Sequence, residues 1–178
     1  MILHWSFNAH DPETVAHAIA EIIGGEVVEP PVPPYSPGAK WVCTFDEMGS
    51  MIEVGPYNAV WKPDEVATAV ETLVDEEPRE FTYNHILCRS VLTVEEIKAI
   101  ADRHGWHTRF FDGPFKFQAV WFENHQYVEF ATDDLVPLYQ KVFGKGASKE
   151  GLEAHNKGRG HTYEDLGTKA SQTDDVRG

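Results

Sequence analysis

The pattern of apolar and polar positions predicts an amphipathic helix close to the start of the chain. Apolar residues recur at the spacing of one helix face over residues 15–23. Asp11 can cap the first turn, and Pro12 suits the opening position because a proline has no N–H to leave unpaired there. Gly24 follows the last apolar residue and is a common residue after a helix end. A helix over residues 12–23 is therefore expected.

A second helix of the same kind is predicted further along the chain. Thr93 and Glu96 have the spacing of a capping box, in which each side chain satisfies a backbone N–H group near the other residue. Positions from Ile97 to Ala101 supply the apolar stripe, and Gly105 ends the helix. The two helices are thus marked by the same signals.

Short apolar runs with the composition of strands follow each helix. In the first half of the chain they cover residues 26–28, 41–45 and 51–54, and in the second half they cover 108–111, 117–122 and 127–130. A further apolar run precedes each helix, around His4 and around His85. Both halves have the order strand, helix, strand, strand, strand, which predicts an α+β fold made of two βαβββ modules.

The two modules also repeat their candidate chemistry. His4 and His85 lie in the first predicted strands of the two modules, while Glu53 and Glu129 lie in the last ones. The interval between the histidines equals the interval between the glycines that end the two helices. The interval between the glutamates is slightly shorter, and the proline-rich loop 30–38 of the first module accounts for the difference. The pattern indicates a duplication that includes the polar residues.

These signals divide the chain into four segments. The first module covers residues 1–60 and the second covers residues 81–132. Residues 61–80 between them are rich in acidic side chains and are predicted to form a linker with a short helix. Residues 133–178 are predicted to form a C-terminal helix followed by a polar tail.

Two imidazoles and two carboxylates in strand-like segments would be costly to bury unless they share a partner. Side chains alternate between the faces of a strand, so the four can meet inside one cup if the sheets curl toward each other. A set of nitrogen and oxygen ligands suits nickel, zinc, cobalt, manganese or ferrous iron. We therefore predict that His4, Glu53, His85 and Glu129 bind one divalent metal ion, with two positions left open for water or substrate.

Composition and charge narrow the range of partners. A formal charge of −14 and the lack of a lysine or arginine stripe argue against nucleic acid as a partner. The sequence contains no apolar run of membrane-spanning length and no basic and then apolar leader, so a cytoplasmic protein that binds a small molecule is expected. Cys43 and Cys88 have the spacing of neither a zinc knuckle nor a redox pair and are expected to be reduced, buried thiols.

The duplicated order of elements, taken with the four histidine and glutamate positions, resembles the vicinal oxygen chelate superfamily over roughly residues 1–132. The resemblance implies an incomplete β-barrel around a metal ion, and a substrate whose adjacent oxygens chelate that ion. A ligand set of two histidines and two glutamates is similar to that of glyoxalase I. The resemblance therefore implies a metal-dependent lyase or isomerase in which Glu53 or Glu129 moves a proton.

Other residues and other functions are also compatible with this pattern. Arg89, Arg109 and Gln118 lie in predicted strands that could line the cup, and they are candidates for binding an anionic or carbonyl group of a substrate. The same ligands fit a ferrous extradiol-type dioxygenase if one glutamate does not bind the ion. They also fit a non-catalytic protein that holds a drug or metabolite. A clear basic cluster for glutathione is not visible, and a homodimer is compatible with modules of this architecture.

The other histidines are expected to be exposed to solvent. Four lie near helix ends or on helix surfaces, one lies in a predicted hairpin turn, and two lie in the polar tail. They are, in that order, His10, His17, His104, His107, His125, His155 and His161.

Overall fold

The computed structural model describes residues 3–30, 35–63, 70–113, 115–148 and 150. Three helices and ten strands occur in this part of the chain. In chain order they are β1 (His4–Ala9), α1 (Pro12–Ile23), β2 (Glu26–Val28), β3 (Lys40–Cys43), β4 (Met51–Pro56), β5 (Ala59–Pro63), β6 (Val70–Val74), β7 (Leu87–Arg89), α2 (Val94–His104), β8 (His107–Asp112), β9 (Lys116–Phe122), β10 (Gln126–Ala131) and α3 (Val136–Phe143).

The strands form two four-stranded sheets with the same layout. The first has the order β1-β4-β3-β2 and the second has the order β7-β10-β9-β8. In each sheet the first strand of the module pairs in parallel with the last strand, and the remaining pairs are antiparallel. Within the described residues the two sheets do not close into a barrel. The predicted α+β fold of two βαβββ modules is confirmed.

Both long helices lie where the sequence predicts them, and interactions between neighbouring residues fix their ends. The Asp11 carboxylate accepts a hydrogen bond from the Thr14 amide at 3.1 Å, and α1 ends at Gly24 in the left-handed conformation with φ of 74°. Thr93 and Glu96 form the predicted capping box at the start of α2, which stabilises the helix because two otherwise unpaired N–H groups gain partners.

One hydrophobic core joins the two modules. The stripe of α1 is buried at Val15, Ile19 and Ile22, and the stripe of α2 is buried at Ile97 and Ile100. These side chains pack in the same cluster as the inward residues of both sheets. Burial of apolar surface is the main source of stability, at roughly 25 cal/mol per Å², so the two modules stabilise each other.

Polar contacts also connect the modules. Ser90 is fully buried, and its hydroxyl donates to the Ile22 carbonyl at 2.9 Å while accepting from the Leu92 amide at 3.0 Å. At another point of the junction, Arg103 of α2 forms an ion pair with Glu21 of α1 at 2.7 Å. Helix α1 is therefore fixed to the second module at several points.

Replacing Ser90 with alanine is expected to lower the free energy of unfolding by about 1 to 3 kcal/mol, because the buried Leu92 amide loses its acceptor. Urea denaturation would measure the change. Ser36→Ala is the matched control, since the described residues give the Ser36 hydroxyl no hydrogen-bond partner. Equal effects of the two substitutions would contradict a specific role for Ser90.

The segment between the modules differs from its prediction. Strands β5 and β6 pair with each other in an antiparallel hairpin, from Ala59 opposite Val74 to Pro63 opposite Val70. The short helix predicted for residues 63–71 of this linker is therefore wrong at residues 63, 70 and 71, which lie in strands, and residues 64–69 lie outside the described part. The residues Trp61-Lys62-Pro63 show little helical periodicity. They form a strand because they pair with β6.

The chain divides into one compact unit over Met1–Leu138 and a second over Tyr139–Gly178. The second unit contains the end of α3 and the turn that follows it, and residues 151–178 of the predicted polar tail lie outside the described residues. None of the described helices is both long and apolar enough to span a membrane.

Candidate metal centre

The first module brings a histidine and a glutamate together through strand pairing. The parallel register of β1 and β4 places Ser6 opposite Glu53, and His4 lies two residues before Ser6 on the same face. The His4 Nε2 atom lies 3.4 Å from Glu53 Oε2. The Ser6 hydroxyl lies 3.0 Å from His4 Nε2 and donates to Glu53 Oε2 at 3.3 Å. A hydroxyl therefore connects the two candidate ligands.

Glu53 is a buried carboxylate, with only 6% of its surface exposed. Burial raises the pKa of Glu53 above its ordinary value of 4.5, since the charged form loses hydration. The charge of His4 and the hydrogen bond from Ser6 act in the opposite direction. An uncompensated buried carboxylate is costly, so this site favours a proton or a cation at Glu53.

The second module contains a matching pair. The amide of Glu129 in β10 donates to the Ile86 carbonyl at 2.8 Å, which fixes Glu129 beside the residue that follows His85. Burial raises the pKa of Glu129, while a hydrogen bond from Tyr127 and the charge of His85 lower it in part. The ring of Tyr127 lies 5.7 Å from the ring of His85. Each module thus has a histidine, a glutamate and a hydroxyl side chain that contacts the glutamate.

His85 differs from the prediction in its local structure. It lies just before β7, which begins at Leu87, so it is not part of the strand. A hydrogen bond joins His85 Nδ1 and the Tyr83 carbonyl at 3.1 Å, and the side chain is exposed. This bond leaves Nε2 as the ring nitrogen available to a ligand.

The two pairs do not form one cluster within the chain. Among the described residues, no three histidine, cysteine, aspartate or glutamate side chains are arranged so that they could hold a metal ion. A crevice of about 480 Å³ has His4 on one side and Leu87 and Arg89 on the other. A single centre made of His4, Glu53, His85 and Glu129 therefore stays a prediction, and the chain itself presents two separate pairs.

Aromatic side chains cover the first pair. Tyr35 packs against Trp41 at 5.1 Å and against Trp61 at 5.5 Å between ring centroids, and we call these three residues the aromatic cover. Trp41 is paired with Glu53 in the register of β3 and β4. Burial and the charge of Glu53 raise the pKa of Tyr35. Beside Glu53 remains a small cavity of about 150 Å³, which Trp61 also lines.

The three candidate substrate-binding residues lie in different places. Arg109 pairs with Ala119, which in turn pairs with Glu129, so Arg109 shares the face of Glu129. Gln118 is buried on the opposite face of the sheet, where it pairs with Phe130 of the core. This position differs from the predicted one, because alternation along β9 assigns neighbouring residues to opposite faces.

Arg89, the third of these residues, is exposed and forms an ion pair with Asp133 at 2.6 Å. Its neighbour Cys88 faces away from solvent, and burial raises the pKa of its thiol to about 12. Cys43 and Cys88 are both free, as predicted, and both are half-buried.

His125 was predicted to be exposed and is instead buried, with 8% of its surface accessible. The hairpin turn itself is present, with positive φ at Glu123 and Asn124. The ring of His125 packs edge-on against His10 at 5.0 Å and Tyr57 at 5.3 Å. The sequence reveals the turn but not that the turn contacts the other module.

Two residues that contact the candidate ligands were missed by sequence reasoning. Ser6 lies two positions after His4, and Tyr127 lies two positions before Glu129. A spacing of two places side chains on the same face of a strand, so this spacing was the available signal.

Removing the titrating carboxyl group of Glu53 is expected to stabilise the metal-free protein relative to wild type, and increasingly so as pH rises. Because the folded state holds the proton of Glu53 more tightly than the unfolded state, stability from this group is complete below pH 4.5 and is lost as pH increases through the raised pKa. Glu53→Gln does not titrate. Its unfolding free energy relative to wild type should therefore increase from pH 4 to pH 8 in the presence of a chelator.

Urea denaturation at each pH measures this difference. The exposed residue Glu26 provides the control, because Glu26→Gln removes a carboxylate that is not buried. A flat difference for Glu53→Gln would mean that Glu53 is not buried as the structure shows.

The structure thus defines an α+β protein of two βαβββ modules, each with its own pair of histidine and glutamate. No family model matches the chain, and no curated protein matches it. The fold implied by the resemblance to the vicinal oxygen chelate superfamily is present in the order and pairing of the strands.

The backbone is similar to those of several solved structures, and three of them follow with their sequence identity, TM-score and the share of each chain that is covered. The fosfomycin resistance protein FosX from Mesorhizobium loti has 12% identity and a TM-score of 0.45, with 77% of this chain and 95% of that chain covered. A protein described as a glyoxalase family member from Bacillus anthracis has 17% identity and a TM-score of 0.48, with 74% and 93% covered. FosX from Listeria monocytogenes, in complex with Mn(II) and sulfate, has 12% identity and a TM-score of 0.46, with 88% and 97% covered.

Proposed function

We propose that this protein is a metal-dependent lyase or isomerase that acts on a small substrate with adjacent oxygen atoms. The observation that carries the proposal is the repeated pair of one histidine and one glutamate, His4 with the buried Glu53 and His85 with the half-buried Glu129, both with a raised pKa. Two imidazole nitrogens and two carboxylates suit nickel, zinc, cobalt, manganese or ferrous iron. The raised pKa values of both glutamates support the choice of a cation as their missing partner.

The ligands would hold the ion so that it polarises adjacent substrate oxygens and stabilises negative charge as an enolate forms. Glu53 or Glu129 would accept a proton from the neighbouring carbon and return it at another position. Burial raises the pKa of both carboxylates in the metal-free protein. A carboxylate that leaves the ion during turnover would therefore be a stronger base than an exposed one, because its pKa lies closer to neutral pH. Ser6 and Tyr127 hold these carboxylates in place.

We further propose that a second copy of the chain completes each centre. Bringing the two pairs of one chain together would require the modules to move against each other. Such a movement would break the contacts of Ser90 with Ile22 and of Arg103 with Glu21, and it would disturb the common core. Pairing the first module of one chain with the second module of another requires none of these losses.

The test begins with the chelated protein, which is titrated with Ni²⁺, Zn²⁺, Co²⁺, Mn²⁺ and Fe²⁺ and then analysed for bound metal. The loaded protein is next incubated in deuterated water with adducts of α-oxoaldehydes and thiols, and with other enolisable carbonyl compounds. Metal-dependent deuterium incorporation at the carbon beside the carbonyl supports the proposal. Failure to bind any of these ions, or exchange that is independent of the ion, would overturn it.

Other results of the same experiment would identify one of two other functions. A ferrous dioxygenase would consume oxygen with catechols, but it needs one glutamate that is not a ligand. Each glutamate has a histidine and a hydroxyl side chain nearby, and Glu53 is the more deeply buried of the two. Tight ligand binding without turnover would instead identify a sequestering protein.

A further inference from the structure

A pocket of about 320 Å³, formed within one chain, is lined by both polar and apolar residues, among them Ser6, which contacts His4 and Glu53. Ser6 and Asn8 of β1 line one side, and Gln126 at the start of β10 lines another. The connection that precedes β7 completes the wall with Glu80 and Asn84. Polar residues from both modules therefore converge on this space. The proposed metal chemistry does not require any of them except Ser6.

The side-chain amides of Gln126 and Asn8 donate both of their N–H groups within the protein. Their oxygen atoms are therefore the atoms that can accept a hydrogen bond from a ligand. The Gln126 side-chain amide donates to the carbonyls of Asn84 and Tyr127, both at 3.1 Å. The Asn8 side-chain amide donates to the carbonyls of Tyr57 at 3.2 Å and Ala59 at 2.6 Å. A carboxamide has two N–H donors, so in both cases the donors are used. The oxygens then lack a donor among the described residues.

A residue of the pocket wall also has a buried polar atom without a partner among the residues that the structure describes. Only 6% of Gln126 is exposed, and its neighbour His125, which also lines the pocket, is 8% exposed. The Nε2 atom of His125 is buried without a hydrogen-bond partner in the described part of the chain. Buried polar atoms nearly always have a partner, so an unpaired ring nitrogen at the pocket wall indicates a position that a ligand can fill.

The charges around the pocket disfavour an anionic ligand. Asp75 and Glu80 contribute two carboxylates, whereas Arg79 contributes one cation. The whole chain has a formal charge of −14, which repels anions. A hydroxyl group can donate to the carboxamide and carboxylate oxygens of the lining residues. A fully apolar molecule would leave all of these groups without partners.

We propose that this pocket binds a neutral, hydroxyl-rich small molecule of the size of a monosaccharide. The inference goes beyond the proposed enzymatic function, because the pocket lies within one chain and needs no metal ion. Pockets of about 300 Å³ and above are of the size that encloses small ligands.

The experiment follows the side-chain amide signals of Asn8, Asn84 and Gln126 by NMR in the ¹⁵N-labelled full chain. D-glucose is the neutral probe, and glucose 6-phosphate and cyclohexanol are the anionic and apolar comparisons. Each titration is made twice, once with a chelator and once with Zn²⁺, which is diamagnetic and does not broaden the signals. A failure to bind metal is then distinguished from a failure to bind glucose. Saturable shifts of the Gln126 signal with glucose, in both conditions, are the expected result.

Two variants locate the binding. Gln126→Ala removes a carboxamide from the pocket wall. Glu80→Ala removes an exposed carboxylate of the same wall and is the second variant if Gln126→Ala is unstable. Each should weaken glucose binding roughly 3- to 10-fold, the value of one hydrogen bond. Glu76→Ala, an exposed acidic residue outside the pocket, is the matched control and should have no effect. Absence of saturable shifts, preference for the phosphate, or equal effects of Glu76→Ala and Glu80→Ala would overturn the proposal.

Discussion

Substituting Glu53 with glutamine, or His4 with alanine, is expected to weaken divalent metal binding by at least about 100-fold. Even groups that only orient a metal ligand change affinity by about 10- to 100-fold, and these substitutions remove a proposed ligand itself. Glutamine keeps the size of glutamate but loses the negative charge, so packing under the aromatic cover is preserved. Dialysis against Mn²⁺ or Ni²⁺ followed by metal analysis measures the loss.

The chain provides matched controls for both substitutions. His17 lies on the exposed face of α1 beside Glu13, and His17→Ala removes an imidazole without approaching the proposed site. Glu26→Gln removes an exposed carboxylate from β2. Metal affinity that falls equally in the controls and in the site variants would show that ions bind diffusely to an acidic surface.

The same residues connect stability with the proposed activity. Glu53 is buried beneath the aromatic cover, where its charge lowers the stability of the metal-free chain above pH 4.5. A bound cation would offset this loss, because it binds the folded state selectively. A residue chosen only for stability at this position would be apolar. The buried carboxylate of Glu53, together with the half-buried carboxylate of Glu129 in the second module, therefore supports a functional role.

Sequence reasoning was reliable where the determining interactions are local. The cap at Asp11 and the capping box of Thr93 and Glu96 involve residues within one helical turn, so spacing alone revealed them. The apolar alternation that identifies β9 and β10 is also local. These elements, and the order of the modules, agree with the structure within about two residues.

The differences arise where a distant segment decides the outcome. His125 is buried because a turn of the second module meets Tyr57 of the first, and no short window of sequence contains both residues. Strand β6 forms because β5 is available to pair with it. Gln118 lies on the core side because the register of β9 with β10 fixes its face. In each case tertiary contacts override a weak local preference.

The candidate site was predictable in its composition but not in its assembly. Duplication pointed to His4, Glu53, His85 and Glu129. Pairing of β1 with β4 brings His4 to Glu53, whereas His85 lies just before β7, near Glu129 of β10. The relation between the two pairs depends on how modules pack, either within one chain or between two. Side-chain alternation contains no information about that packing.

Mixing two inactive variants is expected to restore metal binding, which is the second large effect. One variant has His4→Ala and Glu53→Gln, and the other has His85→Ala and Glu129→Gln. Alone, each lacks half of every proposed centre. In a mixed dimer with two-fold symmetry, one centre receives both intact pairs and the other receives neither. Random pairing therefore predicts about one quarter of the wild-type number of sites after the two are refolded together.

Metal content of the refolded mixture, with the mass of the assembly from sedimentation, measures the result. Each double variant refolded alone is the control and should bind no ion tightly. If the mixture also remains empty while wild type binds metal, the four ligands meet within a single chain, and the modules must move against each other to form the centre. Restoration would instead show that the contacts of Ser90 and Arg103 keep the two pairs of one chain apart, so that each is completed by its counterpart in a second copy.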